Sequence, residues 1–274
     1  MGEPRSEARE GHPTDVVGCP TGPVLVPDDE VLQAHLIAGK VPESVAIVAM
    51  GASSRSYLAM AAGFGDRRRL ADEVWAINAM ASVIHHDRTF HMDDIAIQAT
   101  RATLAPDGMV SGFFGWLREH DEPIYTSRAY EDYPATREYP LEWVINRTGG
   151  NYFNNTVPYA IAFAIALGVK RLHVYGADYG YDDQPWKREK GRACTEWWLG
   201  LAAGRGVELV VPGDTTLFDA ASSKPGELYG YDTEWVTFEQ VEDRIEVERK
   251  DRDASDSPTA AEIEMRYNHE VKKP

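Results

Sequence analysis

The stretch from Tyr152 to Tyr179 constrains the fold most, because it contains a helix, a turn and a strand in direct succession. No charged side chain occurs between Tyr152 and Val169, so the predicted helix must be buried on most of its surface. A turn follows, and Arg171 to Tyr175 then forms a short strand with polar residues directly after it. Such a unit is typical of an open α/β sheet, in which ligands bind beyond the carboxyl ends of the strands.

The rest of the chain repeats this alternation. Apolar runs predict strands at 44–50, 73–78, 88–92, 123–126 and 207–211, and helical patterns predict helices at 57–63, 112–119 and 193–204. Residues 129–150 are predicted to form an ordered loop region that lies over the site. Strands that alternate with helices predict an α/β fold with a doubly wound, mostly parallel, Rossmann-like sheet.

Composition divides the chain into three parts. Residues 1–27 are rich in proline, glycine and charge, which predicts a disordered N-terminal tail. Residues 28–226 form the predicted Rossmann-like catalytic domain, and 227–274 form an acidic C-terminal extension of helical composition with a loose end. A chain of 274 residues is long enough to bury a sizeable core.

Most of the net charge of −16 lies in the two ends of the chain. This balance disfavours an extended nucleic-acid surface, although a local basic groove is not excluded. The two cysteines, Cys19 and Cys194, are far apart and predict neither a disulfide framework nor a zinc site, which favours a reducing, cytoplasmic location. The apolar helix is too short and too interrupted for a membrane span.

Two polar segments follow the first two strands. Gly51, Ala52, Ser53 and Ser54 precede a helix, and backbone amides at a helix N-terminus can bind phosphate. An ordinary turn with a serine N-cap explains the same residues equally well. Asn78 ends the second strand, where its amide can pair with a base or ribose edge, or simply cap a turn.

The third and fourth strands end in charged residues. Asp93 and Asp94 can hold a divalent metal, act as a general base, or cap the following helix. In an extended strand His91 would share a face with Asp93. Ser127 and Arg128 follow the fourth strand, and Arg128 can bind phosphate or form a surface ion pair.

The two strongest local signals flank the long apolar helix. Its start carries more side-chain amides than a single cap needs, and the strand after it ends in a polar sequence. The residues concerned are Asn154, Asn155 and Thr156 at the helix, and Gly176, Asp178 and Tyr179 after the strand.

Two other segments do not predict a catalytic nucleophile or a metal site. Cys194 has no base partner at a recognisable spacing, which favours a packed thiol. His85, His86 and Asp87 lack the spacing of a helical ligand pair and predict a polar loop. No metal site is therefore predicted.

Three segments, 45–54, 74–80 and 148–181, together resemble a known family in their order and spacing. They read VAIVAMGASS, VWAINAM and TGGNYFNNTVPYAIAFAIALGVKRLHVYGADYGY. The chain resembles the bacterial sialyltransferases of the lipooligosaccharide type, glycosyltransferase family 42, and the related MptE-like proteins. The resemblance spans about 44–181. A further segment, 192–220, looks like uncharacterised proteins found among phage sequences.

The resemblance implies a Rossmann-like fold of the GT-A-variant type and a nucleotide-sugar donor. By position, the loop 51–54 and Asn78 would contact the donor nucleotide. Ser127 and the helix start at 154–156 would line the sugar or phosphate, and Tyr179 would lie near the leaving phosphate. The family's histidine base has no counterpart, because no histidine lies between Asp121 and Leu172.

The sequence therefore predicts a transferase that moves a sugar to an acceptor hydroxyl. Asp93 or Asp94 would act as the base, and Arg128 or the helix start would stabilise the departing phosphate. The acceptor is open between a glycan, a nucleotide and a hydroxymethylated phage-type DNA base. Two alternatives remain: an MptE-like pyrophosphokinase with Mg²⁺ on the two aspartates, and an inactive nucleotide-binding protein. Otherwise no cofactor is predicted, and a homo-oligomer contact through the Trp197–Trp198 helix is open.

Overall fold

A computed structural model describes residues 30–104, 109–179, 185–219, 234–241 and 244–251. The chain divides into two compact units, 1–221 and 222–274. The predicted N-terminal tail, 1–27, lies outside the described residues.

The first unit contains a sheet of seven strands that all run parallel. The strands are β1 Ser44–Val48, β2 Glu73–Ile77, β3 Arg88–Phe90, β4 Ile124–Thr126, β5 Thr136–Glu138, β6 Arg171–Tyr175 and β7 Glu208–Val210. Their order is β5-β4-β3-β2-β1-β6-β7. The chain winds outward from β1 to β5 and then continues on the other side of β1 with β6 and β7. The predicted doubly wound α/β fold is confirmed, and its topological switch point lies between β1 and β6.

Helices connect and cover these strands. They are α1 Glu30–Ala34, α2 Ser54–Phe64, α3 Ile95–Leu104, α4 Met109–Glu119, α5 Leu141–Thr148, α6 Thr156–Leu167 and α7 Pro185–Gly204. Short 3₁₀ turns occupy Arg67–Arg69, Asn78–Ser82 and Leu217–Asp219.

Helix α6 is the central helix of one face of the sheet. Every residue of it except Tyr159 is buried, which explains the absence of charge in this stretch. Phe163 packs against Trp75 and Phe90, with ring centroids 5.7 and 5.6 Å away. Burial of each such side chain stabilises the fold by roughly 1.5–3 kcal/mol. The opposite face of the sheet packs against α2, α3 and α4.

The region 129–150, predicted only as an ordered loop region, contains a strand and a helix. Strand β5 pairs in parallel with β4 and forms one edge of the sheet. It is three residues long and two of them are exposed, so it lacks the apolar run by which a buried strand is recognised. Helix α5 follows and buries Val144 and Thr148.

The second unit contains strands where the sequence analysis expected helix. β8 Glu234–Val241 and β9 Arg244–Asp251 form an antiparallel hairpin. The helical expectation for this segment is wrong because it was based on acidic composition alone. In β9, Ile245 and Val247 alternate with charged residues, a period of two that is typical of a strand.

Candidate functional site

The predicted site residues gather at one edge of the sheet. Because all seven strands are parallel, the polar segments that follow them lie at the same, carboxyl, edge. They form two groups. The switch-point group comprises Gly51, Ala52, Ser53, Ser54, Asn155, Gly176, Asp178 and Tyr179. The outer group, after β2, β3 and β4, comprises Asn78, Asp93, Asp94, Ser127 and Arg128.

The segments after β1 and β6 touch directly at the switch point. The amide of Gly51 donates to the carbonyl oxygen of Gly176 at 2.8 Å. Gly176 has a φ of +69°, and a Cβ atom on it would lie 2.1 Å from the carbonyl oxygen of Ala49. A side chain at this position would therefore force the two strand ends apart.

Asp178 joins three segments at the switch point. Its Oδ2 accepts a hydrogen bond from the Ser53 amide at 2.6 Å, and its Oδ1 accepts one from the Thr215 hydroxyl at 2.9 Å. Ser53 Oγ in turn accepts from the Gly176 amide at 2.9 Å. The Ser53 amide, predicted as a phosphate ligand, thus already binds an anion supplied by the protein.

Tyr179 and Asn155 meet in the same group, but both have structural partners. The Tyr179 hydroxyl lies 2.7 Å from Thr195 Oγ1 and donates to Asn155 Oδ1 at 3.3 Å. Burial raises the pKa of Tyr179 to about 12, so the phenol stays protonated near neutral pH. Asn155 is the N-cap of α6, since its Oδ1 accepts from the Val157 amide at 3.1 Å. Asn155 alone thus provides the side-chain cap of this helix.

The other two helix-start residues differ from Asn155 in exposure. Thr156 is buried in the first turn of α6. Asn154 is exposed. Exposure therefore falls from Asn154 through the half-buried Asn155 to Thr156.

In the outer group the two aspartates have different surroundings. Asp94 is the N-cap of α3, because its Oδ1 accepts from the Ile97 amide at 3.0 Å. Asp93 is exposed and makes no hydrogen bond to any residue that the structure describes. Because β3 ends at Phe90, the strand alternation does not extend to Asp93, and His91 is buried while Asp93 is not.

Arg128 follows β4, the neighbour of β3 in the sheet. Its guanidinium lies over the Tyr130 ring, 4.8 Å from the centroid. The hydrogen bond to the Tyr130 side chain raises the pKa of Arg128, and the nearby charge of Asp94 contributes in the same direction. Ser127, directly before it, is exposed. A cation and an uncommitted carboxylate, that of Asp93, thus follow adjacent strands.

Two residues important at this edge were not assigned from the sequence. Thr215 follows β7 and binds Asp178 across 37 positions, a contact that no local pattern indicates. His91 was mentioned only because an extended strand would place it on the same face as Asp93. Its burial to 4% exposure was not expected at the end of a short strand.

The opposite, amino, edge contains a cavity of about 810 Å³, lined in part by Trp116, His120 and Glu122. His86, predicted to lie in a polar loop, is buried here. Its Nδ1 lies 2.9 Å from the Ile84 carbonyl, and its Nε2 lies 3.1 Å from His120 Nε2. These ring nitrogens are therefore already paired with protein atoms.

Cys194 is a packed thiol, as its lack of a base partner predicted. The Cys194 thiol donates to the Tyr152 carbonyl, and burial raises the pKa of Cys194 to about 11, which keeps it protonated. No cluster of three or more His, Cys, Asp or Glu residues suited to a metal ion occurs among the described residues. None of the described helices combines the length and apolar character needed to cross a membrane.

Comparisons with known proteins give little further information. No family model and no curated protein matches the chain. The chain is similar to a solved structure of the sialyltransferase CstII from Campylobacter jejuni in complex with a substrate analogue, CMP-3FNeuAc. The two share 13% sequence identity over 61% of this chain and 79% of that chain, with a TM-score of 0.36. A likeness at this level carries no argument about function, which must be inferred from the residues of the site.

Proposed function

We propose that the chain transfers a sugar from a nucleotide-sugar donor to an acceptor hydroxyl at the carboxyl edge of the sheet. The observation that carries this proposal is that an exposed carboxylate without a hydrogen bond to a described residue, Asp93, and an exposed guanidinium, Arg128, follow the adjacent strands β3 and β4. Both lie at the carboxyl ends of the strands, the end of an open α/β sheet at which ligands bind.

The reaction requires one base and one anion-binding group. Asp93 removes the proton from the acceptor hydroxyl while the acceptor oxygen attacks the anomeric carbon of the sugar. The bond from that carbon to the phosphate oxygen breaks, and the nucleotide departs with the electron pair. Arg128 stabilises the negative charge that develops on the phosphate. The anomeric configuration is inverted by this single displacement.

The hydrogen bonds that the other candidate residues already make change the roles predicted for them. Because the Ser53 amide binds Asp178, the loop 51–54 shapes the site while the phosphate is bound by Arg128 and exposed polar groups such as Ser127. Because Asp94 caps α3, Asp93 is the preferred base. The same cap occupies one carboxylate oxygen of the pair that a pyrophosphokinase would use for Mg²⁺, which favours sugar transfer over that alternative.

The first test is a thermal-shift screen of the full chain against CMP, UDP, GDP, ADP and their nucleotide sugars, with and without Mg²⁺. A ligand at a hundred times its dissociation constant stabilises the folded state by about 2.7 kcal/mol. A base-selective shift without metal supports the proposal. A shift seen only with a triphosphate and Mg²⁺ supports pyrophosphoryl transfer, and no shift with any nucleotide contradicts a donor site.

The second test compares D93N with D94N, two identical substitutions at adjacent positions. Nucleotide release from the donor that binds is measured with a panel of glycan acceptors. D93N is expected to lower turnover by about 10²- to 10⁴-fold and to leave donor binding intact. D94N is the control, because asparagine is also a good N-cap and should preserve both. Binding without turnover in the unmodified chain would indicate an inactive binding protein.

A further inference from the structure

Unsatisfied polar atoms are concentrated at the ends of β2 and β3. In the described part of the chain, the buried side-chain atoms without a hydrogen-bond partner are Asn78 Oδ1, both ring nitrogens of His91, and His173 Nε2. Three of these four atoms belong to two residues at the carboxyl edge. Buried polar groups in folded proteins are normally paired, so a cluster of exceptions calls for an explanation.

Asn78 and His91 are neighbours by the register of the sheet. Ile77 of β2 pairs with Phe90 of β3, and the next residue on each strand is Asn78 and His91 respectively. The His91 ring is 4% exposed and packs on Phe113 with a centroid distance of 5.4 Å. Asn78 has a φ of +52°, an uncommon left-handed conformation for a residue other than glycine. The left-handed backbone, which asparagine adopts more readily than most residues other than glycine, turns the chain away from the strand at the point where the unpaired polar atoms occur.

We propose that Asn78 and His91 form the subsite for the uncharged nucleoside half of the donor. This inference rests on the proposed function and specifies the orientation of the donor within the same site. The phosphates then lie toward β4 and Arg128.

The hydrogen-bonding capacity of the two residues determines the kind of group that fits. Burial lowers the pKa of His91, although the charge of Asp93 opposes this shift, so the ring is neutral near pH 7. A neutral imidazole offers one donor and one acceptor, and Asn78 Oδ1 offers a further acceptor. The ligand must therefore supply two donors and one acceptor. Ribose hydroxyls or a nucleobase edge meet this requirement, whereas an ionised phosphate has only acceptors.

The test uses calorimetric titration of the full chain with nucleoside monophosphates, the matching nucleosides and inorganic phosphate. H91F removes both nitrogens and retains an aromatic ring against Phe113. N78G removes the amide but tolerates the positive φ. H120F, the same substitution at the amino edge, is the control. H91F and N78G are each expected to weaken nucleoside and nucleotide by the same factor, about tenfold, and to leave phosphate binding unchanged.

A stability measurement distinguishes a binding role from a structural one. Because H91F removes two buried nitrogens that have no protein partner, the ligand-free variant is expected to melt about 2–4 °C higher than the unmodified chain. A lower melting temperature would show that His91 serves packing, and would overturn the inference. The N78G variant keeps the binding test valid should H91F fail to fold.

Each binding outcome has a definite meaning. If H91F weakens the nucleotide but not the nucleoside, or weakens neither, the subsite is refuted while the proposed function stands. If the unmodified chain binds no nucleotide or nucleoside, the proposed function itself fails. Titration with 2′-deoxynucleosides then identifies the ligand group that contacts His91. If H91F no longer weakens binding of the deoxynucleoside, the partner is the ribose hydroxyl. If H91F still weakens it, the partner is the base. Both results support the subsite.

Discussion

The amino and carboxyl edges of the sheet differ in whether their polar groups have partners within the protein. At the amino edge, buried charges are paired. Arg88, 1% exposed, donates to Glu73 at 2.7 and 3.1 Å and to the His35 carbonyl at 2.7 Å. Asp87 likewise binds Arg67 and the Val74 amide.

At the carboxyl edge, several polar groups have no such partners. Asn78 and His91 retain unsatisfied buried atoms, and Asp93 is exposed without a hydrogen bond among the described residues. Asp178 is the exception, since it joins the strand ends that form the switch point. Paired charges at the amino edge stabilise the fold, whereas several polar groups at the carboxyl edge have no partner among the described residues, and the proposed function assigns a ligand to them.

The largest expected effect is that of R88M at the amino edge. It leaves the Glu73 carboxylate buried without its charge partner, which should lower the free energy of unfolding by about 3–5 kcal/mol. R171M is the matched control, because Arg171 and Glu208 form an exposed ion pair that should contribute at most about 1 kcal/mol. Urea unfolding measures both. Equal losses for the two variants would refute the assignment of Arg88 as a structural residue.

An intermediate effect is expected for D178A at the switch point. The Ser53 amide and the Thr215 hydroxyl lose their acceptor, at a cost of roughly 1–3 kcal/mol in unfolding free energy. Donor affinity should fall as well, because the strand ends are no longer joined. D214A, on the loop after β7, provides the control and should stay within about 0.5 kcal/mol. Unchanged donor affinity in a destabilised D178A would separate this residue from the site.

The smallest expected effect distinguishes two adjacent asparagines. N155A removes the N-cap of α6 and should cost about 1 kcal/mol. N154A alters an exposed side chain and should change stability by less than about 0.5 kcal/mol. Thermal unfolding of the two variants tests whether Asn155, and not Asn154, stabilises the start of α6. A larger loss for N154A would contradict the cap assignment.

The sequence was sufficient to predict the parallel sheet and the gathering of the candidate site residues at one edge of it. Apolar runs identified β1, β2 and β6, and the absence of charge identified the buried α6. Parallel strands then placed every following polar segment at one edge. These features depend on local pattern, which a single sequence contains.

The roles within the site depended on contacts that local pattern does not contain. Asp93 and Asp94 are equivalent in sequence, and only the start of α3 at Ile95 makes Asp94 the cap. The acceptor role of Asp178 toward Thr215 requires the position of β7 beside β6. β5 was missed because an edge strand of three residues has too few apolar positions.

Hydrogen exchange of backbone amides, with and without the nucleotide that stabilises the chain most, tests the central claim most directly. Binding at the carboxyl edge predicts added protection in the segments that follow β1, β2, β3, β4 and β6, with no change around the cavity at the amino edge. Protection centred on the cavity beside His86 and His120 would contradict the account and move the ligand site to the other edge of the sheet.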